Sequence, residues 1–101
     1  MINRIGTTLL LAASLLLAAC GDIHSRTEFT TMVMNKSEEE VKSTAGKPAE
    51  IDASNPDHVV WIYKLETFDI DHGNKRDEKT LVIFERKGSG DKLRVTDVKF
   101  G

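Results

Sequence analysis

Hydrophobic and polar positions follow three different rhythms along the chain. Residues 5–19 are almost uninterruptedly apolar, broken by Gly6, Thr7, Thr8 and Ser14, and they follow the short charged start Met1-Ile2-Asn3-Arg4. Such a run falls below the roughly 20 residues a helix needs to cross about 30 Å of hydrocarbon. It has the layout of a secretory signal. From residue 25 to residue 45 the apolar positions recur at intervals of three and four. Ser25-Arg26-Thr27-Glu28 and Ser37-Glu38-Glu39-Glu40 both fit S-x-x-E, in which Ser and Glu satisfy each other's unpaired backbone donors at a helix start. The first predicts a short helix with Phe29, Met32 and Val33 on one face. The second predicts a helix presenting Val41 and Ala45, with three carboxylates at its positive end and a stop at Gly46 ahead of Pro48.

Beyond residue 58 the rhythm changes to alternation. Val59-Val60-Trp61-Ile62-Tyr63-Lys64-Leu65, continuing toward Ile70, then Leu81-Val82-Ile83-Phe84, then residues 93–100 are rich in β-branched and aromatic side chains and read as three strands. Asn55-Pro56-Asp57 marks the loop before the first, Gly88-Ser89-Gly90-Asp91 a tight hairpin between the last two, and the charged stretch 69–79 an extended hairpin loop. The expected fold is α+β: two short N-terminal helices packed on a three-stranded antiparallel meander, after a cleaved signal peptide. With Val59, Trp61, Tyr63 and Leu65 facing the helices, Val60, Ile62, Phe84 and Phe100 are left as an apolar patch on the other face. Exposed patches of this kind tend to be binding surfaces. In the last strand Asp97 interrupts the core parity, so a bulge near Thr96, or a change of partner surface, is expected there.

The apolar start ends in Leu17-Ala18-Ala19-Cys20, which resembles the lipobox of bacterial lipoprotein precursors. The resemblance implies a diacylglyceryl group on the Cys20 sulfur, cleavage before that residue and acylation of the new amino group. Cys20 is the single cysteine, and an unpaired cysteine in an exported chain otherwise lacks a role. The expected organisation is a signal peptide over residues 1–19, a lipidated tether over 20–24 and one domain over 25–101. Formal net charge is −2, and losing Arg4 makes the mature chain more acidic still. That gives no basic footprint for nucleic acid. With no second cysteine the fold must rest on its core.

Little in the sequence points to catalysis. His24, His58 and His72 are isolated from other metal-type ligands at helical spacing, so no zinc site is expected. Asp69-Ile70-Asp71-His72-Gly73-Asn74 begins like a calcium loop, but its glycine is out of order and Thr80 stands where the closing Glu belongs. The acids at 38–40 point in different directions on a helix and are explained by its dipole. No nucleophile elbow, P-loop or dinucleotide fingerprint occurs. The expectation is a non-enzymatic chain with no cofactor and no small-molecule substrate.

Met34-Asn35-Lys36-Ser37-Glu38-Glu39-Glu40-Val41, Gly46-Lys47-Pro48, Trp61-Ile62-Tyr63, Phe84 and the glycine turn at 88–91 together resemble the SmpA/OmlA-type small outer-membrane lipoproteins over residues 27–98. Asn35 stands where that family often has glycine, and Thr44-Ala45 replace a bulky apolar pair. The resemblance implies a scaffold or adaptor at the outer membrane, with the domain in the periplasm, bound to the membrane through Cys20 and to an envelope protein partner. The alternative is a periplasmic inhibitor or stress lipoprotein that blocks an enzyme through loop residues such as Asp71 or Lys75.

Overall fold

The computed structural model describes residues 23–101, so Cys20 and the signal segment lie outside the described residues. Both expected helix starts form. Ser25 caps α1 (Arg26–Val33) and Ser37 caps α2 (Glu38–Ala45), each in a reciprocal capping box with the Glu three residues on. Gly46 ends α2 at φ 84°, a conformation that favours glycine.

The expected three-stranded meander is corrected. Seven strands form two sheets, and the described chain is mostly β. The larger sheet is four-stranded and antiparallel, in the order β2 (Glu50–Asn55), β3 (His58–Lys64), β6 (Lys79–Glu85), β7 (Arg94–Phe100). β2 was not expected. All six of its residues are exposed, so it carries no burial signal and is held by its ladder to β3. The smaller sheet joins β1 (His24–Ser25), β4 (Thr67–Asp69) and β5 (Lys75–Arg76), with β1 parallel to β4. The strand expected to continue toward Ile70 therefore breaks at Leu65, and the expected loop 69–79 contains a 3-10 turn (Ile70–His72) and β5. His24, the last residue of the expected tether, is paired in β1.

The core lies between the helices and one face of the four-stranded sheet. Phe29, Val33 and Val41 from the helices meet Val59, Trp61, Tyr63, Val82, Phe84 and Val95 from the sheet. Phe29 packs edge-on against Tyr63 at 5.6 Å, and Trp61 lies tilted against Phe84 at 4.8 Å. The Tyr63 hydroxyl donates to the Gly46 carbonyl at 2.8 Å, tying the end of α2 to the sheet, and burial pushes its pKa up. The register of β6 on β7 shifts between Ile83 and Phe84, whose partners are Asp97 and Val95. Thr96 is the extra residue, and the shift brings Val98 opposite Val82, back onto the helix side.

Candidate functional site

Cross-strand partners share a face, so the register sorts the apolar residues. Val60 pairs with Ile83 and Ile62 with Leu81, and these four form the centre of the sheet face turned away from the helices. Val60, Ile62 and Leu81 are partly buried, and Ile83 is 8% exposed. The small sheet lies on the opposite, helix side. Its Thr67 hydroxyl bonds that of Thr80 at 2.6 Å, and Thr80 is the partner of Tyr63. Among the described residues, neither helix contributes to the four-aliphatic face; charged residues frame it instead.

One row across the sheet reads Glu50, Ile62, Leu81, Lys99; the next reads Asp52, Val60, Ile83, Asp97. At one end of β3 and β6, Lys64 faces Lys79; at the other, His58 faces Glu85. Thr96 donates to Glu85 at 2.5 Å, and this bond, with that from His58, holds the Glu85 carboxyl below the usual range. Long charged side chains lay their methylene stems along the edges of such a face while keeping their heads in water.

Of the four residues expected to form the patch, Val60 and Ile62 are on it. Phe84 and Phe100 are corrected. Phe84 is the partner of Val59, is fully buried and stacks on Trp61. Phe100 is the partner of Thr80 and lies under the Arg26 guanidinium, 5.1 Å from its centroid. Leu81 and Ile83 take their places. The second strand is apolar on both sides, so alternation alone did not decide its parity; the larger volume of Phe84 was the signal that favoured the core.

A second constellation is polar. Arg26 at the start of α1 donates to both oxygens of Asp77, at 2.5 and 3.1 Å, and lies 3.2 Å from Asp69. Thr67 donates to Asp77 at 2.8 Å. The Arg26 bonds, assisted by Thr67, hold the buried Asp77 well below the usual carboxylate range. Burial opposes ionisation of Asp69, but bonds from His72 and the Asp71 N–H prevail and its pKa is also lowered. Both Asp77 oxygens accept hydrogen bonds, from Arg26 and from the buried Thr67, so the cluster clamps α1 and β1 onto the β4–β5 hairpin.

The histidines fall in β1, β3 and the 3-10 turn. Among the described residues no group of three or more His, Cys, Asp or Glu could hold a metal, and no helix is long and apolar enough to cross a membrane. No family model, no curated protein and no solved structure matches this chain.

Proposed function

We propose that the protein is a non-enzymatic membrane-anchored lipoprotein, held through Cys20 at the outer membrane, that acts as a scaffold or adaptor by docking the outer face of its four-stranded sheet onto an envelope protein. The observation that carries this reading is the joining of a lipobox at Cys20 to a domain with an aliphatic face, Val60, Ile62, Leu81 and Ile83, that its own helices leave uncovered. The resemblance to the SmpA/OmlA-type lipoproteins supports the same role.

The test joins two measurements. Metabolic labelling with palmitate should mark the chain and be lost in Cys20→Ser. Affinity purification from mildly solubilised membranes should recover an envelope partner that Ile62→Lys loses. Lysine at 62 stands opposite Glu50, so the strand pairing tolerates it while the centre of the face becomes charged. Recovery of the same partner with Ile62→Lys would count against docking through this face.

A further inference from the structure

Two of the exposed apolar residues lie at or beside the first described residues of the chain. Ile23 is 42% exposed and Leu65 is 49% exposed. The backbone brings them to one edge, because the His24 N–H donates to the Glu66 carbonyl at 3.1 Å and His24 is in register with Thr67. Leu65 has a φ of 57°, the left-handed region that glycine or asparagine occupies at least cost. A bend that needs a small or polar residue thus carries a large apolar one facing outward. Strain of this kind, where it is observed, points toward function.

The charges beside it are equally unfavourable in isolation. Lys64 and Lys79 stand directly opposite each other at the ends of β3 and β6, and both are exposed. Like charges in that position repel. The Arg76 guanidinium donates to the Leu65 carbonyl and adds a third cation to the same end. The acids nearest this edge are Glu66, which is partly buried, and Glu78, whose carbonyl accepts from the Leu65 N–H. An apolar pair beside three exposed cations, two of which repel each other, fits a surface that is anionic above and hydrocarbon below.

The tether supplies the occupant. His24 is fixed to β4, and only three residues lie between it and Cys20, four residue steps with a reach of at most about 14 Å. The polar headgroup layer of one leaflet is itself about 5–7 Å thick. We infer that this end of the domain, Ile23, Lys64, Leu65, Arg76 and Lys79, seats on an anionic phospholipid bilayer, with the two apolar side chains at the acyl boundary and the three cations on phosphates. This rests on the reading of Cys20 as a lipid anchor. The seat makes a second attachment point beside the anchor and sets the orientation of the domain. β3 runs from His58 to Lys64, about 20 Å at strand rise, so the turns at 55–57 and 88–91 stand away from the membrane. The face formed by Val60, Ile62, Leu81 and Ile83 is then presented sideways, toward a partner in the same membrane.

The experiment uses the mature lipidated protein in vesicles of phosphatidylcholine with or without phosphatidylglycerol. Cys20 is the only cysteine, and on the lipoprotein reading its sulfur is blocked as the diacylglyceryl thioether, so a cysteine introduced at one position takes a spin label there alone. Labels on Ile23→Cys and Leu65→Cys should collide with oxygen in preference to a water-soluble nickel chelate, and a label on Ser89→Cys should show the reverse. Ile23→Cys guards against a folding defect from changing the strained position. Omitting phosphatidylglycerol, or introducing Lys64→Glu with Lys79→Glu, should lower the oxygen preference of the labels at 23 and 65. Nickel accessibility at 23 and 65 equal to that at 89, in a chain that incorporates palmitate, would overturn the seat while leaving the anchor intact. Protection from both quenchers would mean a protein covers this edge, and would overturn it too. Equal depth in both kinds of vesicle would overturn the role given to the cations. A chain that takes up no palmitate removes the anchor, and the seat falls with it.

Discussion

The two faces of the four-stranded sheet are built from the same kind of residue and end up with opposite fates. On the helix side, Trp61, Tyr63, Val82, Phe84 and Val95 are covered by Phe29, Val33 and Val41. On the outer side, Val60, Ile62, Leu81 and Ile83 meet a frame of Glu50, Asp52, Asp97 and Lys99, closed at its ends by His58 with Glu85 and Lys64 with Lys79, and no helix among the described residues. The difference lies in what the neighbouring elements bring, not in how apolar the strands are. Aromatic side chains interlock under the helices; aliphatic ones form a flatter face outside. The helix face should therefore carry the stability of the domain, and the outer face its binding.

The largest effect that follows is on the helix side. Phe84 is fully buried and stacks on Trp61, so Phe84→Ala should destabilise the domain by about 3–5 kcal/mol. Chemical denaturation of the two proteins measures this. A loss below about 1 kcal/mol would mean that the helix cover does not close over Phe84 as described.

The clamp that holds α1 over that face comes next. Asp77→Asn removes the charged partner of Arg26, which is itself part-exposed, and should cost about 2 kcal/mol, less than a fully buried pair. Its pH dependence has a definite sign. The folded pKa of Asp77 is depressed, first by the Arg26 hydrogen bonds, so the unfolded chain binds more protons as the pH drops toward the ordinary carboxylate value near 4. Stability from this group is complete above that value and is lost as the pH falls through the folded pKa. Asp77→Asn should therefore show a shallower loss of stability on acidification below about pH 4, and an acid limb as steep as that of the parent would remove the clamp from the account.

Legibility from sequence follows the range of each interaction. The helix caps at Ser25 and Ser37 and the stop at Gly46 are local, and all three form where the motifs place them. The apolar strands β3, β6 and β7 and the irregularity at Thr96 follow from alternation. β2 has no such signal, since Glu50 to Asn55 are all exposed and the strand exists through its ladder to β3. The small sheet depends on Arg26 reaching Asp77, 51 residues away, and on two buried threonines, Thr67 and Thr80, meeting across the sheets. Neither contact leaves a periodic trace. The patch was half legible for a related reason: the bulge that returns Val98 to the core also carries Phe100 to the helix side, and a strand apolar on both faces gave Phe84 no parity of its own. The bend at Leu65 was hidden because a left-handed residue in the middle of an apolar run is indistinguishable, by residue type, from continued strand.

A smaller effect on stability, and a larger one on binding, is expected on the outer face. Ile62 is partly buried and would be replaced by a cation opposite Glu50, so Ile62→Lys should cost about 1 kcal/mol from lost apolar area. The same substitution should abolish recovery of the envelope partner. Thermal unfolding alongside the affinity purification separates the two, and a destabilisation as large as that of Phe84→Ala would show that the outer face is part of the core after all.

The smallest change in stability tests the comparison at the point where both faces end. Leu65→Asn loses part of a half-exposed leucine, which is unfavourable, but it relieves the left-handed conformation at φ 57°, which asparagine tolerates. The two terms oppose each other and are of similar size, so the unfolding free energy from chemical denaturation should change by no more than about 0.5 kcal/mol. If the leucine were there to pack the fold, the loss would dominate and the variant would be clearly less stable. If it is there to meet lipid, folding is indifferent to it and only the depth of a label at Ile23→Cys changes, becoming more water-accessible in the Leu65→Asn background. A bend that keeps a strained, outward leucine without gaining stability from it would have its reason outside the domain, at the lipid surface proposed for Cys20, three intervening residues from the paired His24.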